Sequence, residues 1–216
     1  MKKRAFVGIG FFAAFAVWTV LVSLVDVQPI GPLCSRVGLA TVNGFVHRLT
    51  GANMALYTAT DWLGLVPIAT ALGFAALGLW QWLKRKRLLA VDRDLFALGG
   101  FYLAVIAVYT FFEVVVINQR PVLINGVLEA SYPSSTTMLV LCVMPTAAMQ
   151  LRRRIKRSLP RRCVMILITA FTAFMVVVGR LLSGVHWVTD IVGGLLVSCA
   201  LVAIYSGLSM GSFHQK

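Results

Sequence analysis

Apolar residues in this chain come in long, nearly unbroken blocks separated by short polar stretches. Alternating or three-to-four-residue patterns, which mark half-buried elements of a water-soluble domain, are not the dominant signal. A helix that crosses a hydrocarbon core needs roughly 20 such residues. The blocks fall near residues 5–25, 61–82, 95–117, 134–150, 163–182 and 187–208. They predict an all-α polytopic membrane protein with six transmembrane helices. The first block follows Met1-Lys2-Lys3-Arg4. It is long and lacks a small-residue cleavage site near its end, so it is expected to remain as an anchor.

The stretch 26–60 is too long for a simple link. Within it Leu39, Val42, Phe45, Val46 and Leu49 share one helical side, with Val37 off it. That pattern predicts an amphipathic helix lying in the membrane interface. His47 and Arg48 on this helix are expected to snorkel at headgroup level. No internal repeat, low-complexity tract or second domain is evident, and 1–216 reads as one domain.

Composition agrees: 59% of the residues are hydrophobic and 12% charged, more apolar surface than a soluble domain of this length could hide. The formal charge of +13 is not a nucleic-acid signature, because the basic residues do not share a face with polar company. They sit instead in blocks at residues 2–4, 84–87 and 152–157, the last joined by Arg161 and Arg162. These blocks lie in alternate loops, and the positive-inside rule places them and both termini in the cytoplasm. Loops 26–60, 118–133 and 183–186 then face outward, including the interfacial helix. Cys34, Cys142, Cys163 and Cys199 show neither disulfide nor metal-ligand spacing.

This topology gathers scattered polar groups at one membrane face. Arg120 and Pro121 follow the third block, and Ser134, Ser135 and Thr136 open the fourth. Arg180 closes the fifth, while His186 and Asp190 open the sixth. A carboxylate in the first turn of a span needs a partner. His186 and Asp190 are four apart and share a helical face. The carboxylate can accept the imidazole Nδ1 proton and leave Nε2 as a nucleophile. Two guanidinium forks suit a phosphoryl group, and a helix start supplies amides and hydroxyls for an anion. Singly these residues read as snorkelling cations and a helix start; together they describe phosphoryl chemistry.

Three spacings strengthen this reading. Gly179-Arg180, His186 and Asp190 follow S-R-x5-H-x3-D with Gly for Ser. Glu113, Arg120 and Pro121 follow K-x6-R-P, and Pro133-Ser134-Ser135-Thr136 follows P-S-G-H. Over residues 113–190 the chain thus resembles the type 2 phosphatidic acid phosphatase superfamily, which includes lipid phosphatases and vanadium haloperoxidases. The resemblance implies that His186 is a nucleophile forming a phospho-histidine, oriented by Asp190. It implies that Arg120 and Arg180, with Ser134, Ser135 and Thr136, hold the phosphoryl oxygens. No metal or other cofactor is implied.

Two positions depart from the pattern. Glu113 replaces a lysine, and is expected to be either an acid raised by burial or the ion-pair partner of an arginine. Thr136 replaces the histidine that protonates the leaving group. A lipid diphosphate, with its better leaving group, is therefore the expected substrate, such as an undecaprenyl carrier at the outer face of a bacterial plasma membrane. The alternative is a catalytically weak relative that binds a lipid phosphate. A channel or transporter is disfavoured, because no inverted repeat is seen and polar residues within the spans are few.

Overall fold

The structure, a computed structural model, describes residues 2–154 and 159–211. The described residues are helical, with only isolated bridges between extended segments. The helices are α1 (Lys2–Leu24), α2 (Ala40–Thr50), α3 (Met54–Leu63), α4 (Leu65–Arg85), α5 (Arg93–Val114), α6 (Ser135–Arg154), α7 (Leu159–Leu182) and α8 (Val188–Gly211). The end of the third basic block, Ile155, Lys156 and Arg157, lies outside the described residues.

Among the described residues five segments are long and apolar enough to cross a membrane: Lys3–Leu24, Met54–Arg85, Arg93–Val114, Leu159–Leu182 and Val188–Leu208. The protein is an integral membrane protein whose bundle exposes Phe6, Ile9, Leu103, Leu167 and Phe171 along its outer surfaces. The fourth predicted block differs from the other five. It forms α6, which packs against α4, α5, α7 and α8 at the centre of the bundle. Shielded by its neighbours, α6 buries Thr137, Thr146 and Gln150 and falls short of the hydropathy of a lipid-facing span. A helix surrounded by helices need not be apolar all round.

The second predicted block starts too late. The helical stretch begins at Met54, seven residues before the expected Asp61, where the Asn53 side chain accepts the Leu56 N–H at 3.0 Å. That cap fixes the start, and a break at Gly64 divides the stretch into α3 and α4. The predicted amphipathic helix corresponds to α2. Val42, Phe45 and Leu49 are exposed on it, while Asn43 is buried on the opposite side. His47 does not snorkel: it is half-buried, its ring edge-on to Trp187 at 5.4 Å.

The first and last helices share the most extensive helix–helix interface. Trp18 Nε1 of α1 donates to the Thr189 carbonyl at 3.1 Å, and Thr19 Oγ1 bonds the Tyr132 hydroxyl at 2.7 Å. Tyr132 lies between Phe15 and Phe112 in an aromatic cluster. These contacts tie α1, α5 and α8 to the segment that leads into α6.

Candidate active site

Residues 118–131 fold into a small hairpin. Ile124 and Val127 exchange backbone hydrogen bonds at 3.0 and 2.9 Å around Asn125-Gly126, both with positive φ. Two such residues in succession are what a tight two-residue hairpin turn needs, and glycine takes the second position without a Cβ penalty. Gln119 pairs with Ala130, the Arg120 N–H reaches the Glu129 carbonyl, and the Ser131 N–H reaches the Asn118 carbonyl. In this register Asn118 faces Ser131 and Arg120 faces Glu129. Side chains alternate along a strand, and directly opposed residues share a side. Asn118, Arg120, Glu129 and Ser131 therefore project from one face.

That face meets the turn between α7 and α8. Arg120 Nη1 lies 3.3 Å from His186 Nε2, and Ser131 Oγ lies 3.1 Å from His186 Nδ1. Arg120 is also paired through Nε with Glu129 Oε2 at 3.0 Å. The hairpin thus brackets both nitrogens of one buried imidazole. His186 and Asp190 do approach each other, but Nδ1 and Oδ2 are 3.9 Å apart, outside hydrogen-bond range. The expected direct acceptor relation is replaced by Ser131, whose hydroxyl also donates to Asp190 Oδ2.

Asp190 is fully buried and collects further donors. The Trp187 N–H reaches Oδ2 at 2.9 Å and Asn118 Nδ2 lies 3.3 Å from Oδ1. A carboxylate in the first turn of α8 that reaches back to the N–H preceding the helix is half of a capping box, and the helix dipole favours it there. The hub extends outward: Asn118 Oδ1 accepts the Gly38 N–H, and Asn43 of α2 bonds Thr189 through its side chain. Burial pushes the His186 imidazole down to about 4, with Asp190 pulling upward and the charges of Arg120 and Arg180 adding to the depression. The ring is therefore neutral at pH 7.

Arg180, at the end of α7, lies near enough for its charge to act on His186. Its side chain is 2% exposed, and Nη2 donates to Asp61 Oδ1 at 2.6 Å. The guanidinium also lies 4.8 Å from the centre of the Tyr57 ring, a cation–π distance. Tyr57 and Asp61 are one turn apart on α3. A Cβ built on Gly179 would lie 2.2 Å from Thr60 Cγ2. The absence of a side chain at Gly179 is what lets α3 close on α7 and Asp61 reach Arg180. Arg180 Nε and Nη1 are buried without a hydrogen-bond partner, an expensive condition for a charged group.

The remaining predicted residues are less directly placed. Ser134 is fully buried at the α6–α8 junction, where its N–H donates to the Asp190 carbonyl at 3.0 Å and its Oγ caps the Thr137 N–H at 3.5 Å. Ser135 and Thr136 are half-exposed in the first turn of α6, and Thr136 lies beside the Gly64 break. Glu113 is exposed on α5, and no arginine among the described residues pairs with it. Glu129 takes that role at Arg120. Glu113 sits in the last turn of α5, seven residues before Arg120, while the hairpin brings Glu129 directly opposite Arg120.

A sequence profile of the PAP2 superfamily matches residues 69–210 of the chain. Among solved structures the fold is similar to the crystal structure of a transmembrane PAP2-type phosphatidylglycerolphosphate phosphatase from Bacillus subtilis. That likeness has a TM-score of 0.64 at 17% sequence identity, and covers 98% of this chain and 100% of the other. No curated protein matches the chain.

Proposed function

The chain belongs to the PAP2 superfamily, and from that premise we propose that it is a membrane phosphatase acting on lipid phosphates through His186. The observation that carries this reading is one neutral, buried imidazole with an arginine on Nε2, flanked by a second arginine whose buried Nε and Nη1 have no partner. Guanidinium donors of that kind match phosphoryl oxygens. The solved relative, a phosphatidylglycerolphosphate phosphatase, supports a lipid phosphate as the substrate class.

In the proposed reaction the His186 Nε2 lone pair forms a bond to phosphorus. The bond to the leaving oxygen breaks, and its electron pair stays on that oxygen. Water then attacks the phospho-histidine, giving inorganic phosphate and restoring the imidazole. Arg120 and Arg180 hold the equatorial oxygens, where charge accumulates. Ser134 and the first turn of α6 complete the anion end of the site, with Ser135 and Thr136 at its edge.

Thr136 carries no acid suited to neutral pH. An alkoxide leaving group without a proton donor reacts roughly 10²–10⁴-fold more slowly, whereas a diphosphate leaves as a stable phosphate monoester anion. The favoured substrate is therefore a lipid diphosphate of the undecaprenyl type. The site faces outward, both termini are cytoplasmic, and α6 is the fourth of six crossings. The exposed Val42, Phe45 and Leu49 of α2 support its lying in the outer interface beside the site.

Phosphate release from undecaprenyl diphosphate and phosphatidic acid, in detergent micelles, tests the reading. Wild type should release phosphate from the diphosphate faster, and His186→Ala should release none. Equal or faster turnover of phosphatidic acid would overturn the leaving-group argument. Release from neither lipid, with vanadate still bound, would favour a binding protein.

A further inference from the structure

Both ring nitrogens of His186 are engaged, and the two contacts are not equivalent. The Asp190 carboxylate can only accept, so the proton in its contact with Ser131 belongs to the serine hydroxyl. A hydroxyl has one proton. With that proton directed at Asp190, Ser131 Oγ must accept from His186 Nδ1, 3.1 Å away. On the opposite side Arg120 has only protons to offer, so Nε2, 3.3 Å from Nη1, must present its lone pair. Each contact selects the same tautomer.

We propose that Ser131 is the positioning residue that holds His186 in the Nδ1–H form, relaying the ring to Asp190 across a gap the carboxylate does not bridge itself. The proposal rests on the reading of His186 as nucleophile. Asp190 acts at one remove, and its own position is fixed by the Trp187 N–H and by Asn118. As Nε2 bonds to phosphorus the ring becomes cationic. Its Nδ1 proton stays in place, and the charge is stabilised through the serine dipole by the buried carboxylate. Because Ser131 and Arg120 stand on opposite strands of one hairpin and face the same way, a single element sets the tautomer and points the lone pair. Asn118, directly opposite Ser131, anchors that strand pair on Asp190.

The test combines nitrogen NMR of histidine-labelled protein in micelles, without substrate, with steady-state kinetics. The His186 signal is identified by its loss in His186→Ala. Wild type should carry the proton on Nδ1 at pH 7; a proton on Nε2 would overturn the proposal, whatever the enzyme turns over. Ser131→Ala should mix the tautomers and lower kcat about 10–100-fold, with little change in KM. Ser131→Thr, which keeps the hydroxyl, should restore most of the kcat. An alanine variant with wild-type kcat and unchanged tautomer would show that Asp190 orients the ring without the serine. If wild type turns over no lipid phosphate yet holds the Nδ1–H tautomer, the relay stands and the phosphatase reading falls.

Discussion

The two arginines of the site are partnered differently, although each keeps a buried nitrogen without a hydrogen bond. Arg120 stands on the hairpin, paired with Glu129 and touching His186. Around it the polar groups are tied into a network running from Asn43 on α2 to Asp190 on α8. Arg180 is walled in by α3 and α7. One of its nitrogens is held by Asp61, whose side chain is 61% exposed, and two have no partner. The difference is instructive, because an orphaned buried donor costs stability unless something else satisfies it. On the proposed reading, one flank holds a reactive ring still and the other keeps hydrogen-bonding capacity for an anion.

The largest test of that division is His186→Ala, which should lower phosphate release by ~10⁴-fold or more while leaving vanadate binding within about tenfold. Binding that vanished along with turnover would mean the two flanks are not separable. Arg180→Ala should come next, with kcat/KM reduced by ~10²–10³-fold and the loss shared between kcat and KM. Arg180→Lys should recover little of it, because an ammonium cannot present the paired donors of the fork. Both are read from the same initial-rate assay.

Gly179→Ser tests the packing that places Arg180. A side chain there meets Thr60, so α3 must back away, at about 1–3 kcal/mol. A lower melting temperature in detergent and a raised KM are expected, with the His186 tautomer unchanged. An unaltered melting temperature would mean that Thr60 turns aside at no cost.

The smallest effect is expected from pH. Burial holds His186 down to about 4 against an ordinary value of 6.5, so the imidazole stays neutral from pH 8 to about 5. Rates corrected for substrate ionisation should be flat there and fall as pH drops through about 4. Stability behaves differently: the unfolded chain binds this proton first. The protein should therefore lose stability as pH falls from about 6.5 towards about 4, and level off below. Urea titrations in micelles at stepped pH would reveal it. A rate that halves near pH 6.5 would contradict the burial of the ring.

The sequence announced the helices well because hydrocarbon imposes a length and a composition that few alternatives satisfy. Its fourth block, 134–150, does form a helix, α6, but a less apolar one, because there neighbours replace lipid. Thr146 and Gln150 are tolerable in α6 only because other helices surround it, which a hydropathy window cannot sense. The spacing of Arg180, His186 and Asp190 was visible as a local pattern. Their partners were not: Asp61 lies 119 residues from Arg180 and Ser131 lies 55 from His186. One signal was available, since Asn125-Gly126 is a strong hairpin turn. Counting outward from it puts Arg120 opposite Ser131; the observed pairing with Glu129 needs two extra residues on the first strand, which the turn alone does not announce. Asp190 also has a second reason to be where it is, because capping α8 requires an acceptor at that position whatever the chemistry.

The pairing of the first helix with the last has a consequence in time. About 160 residues separate the end of α1 from the start of α8. At cellular synthesis rates that is on the order of 10–30 s. Throughout that interval α1 sits in the bilayer with its main protein contact unmade and its partner face covered by lipid or by the insertion machinery. The proposed nucleophile is carried at the foot of α8, so it too arrives last. A half-inserted chain carries both arginines before the imidazole is made, and the pairing of α1 with α8 coincides with the completion of the proposed site.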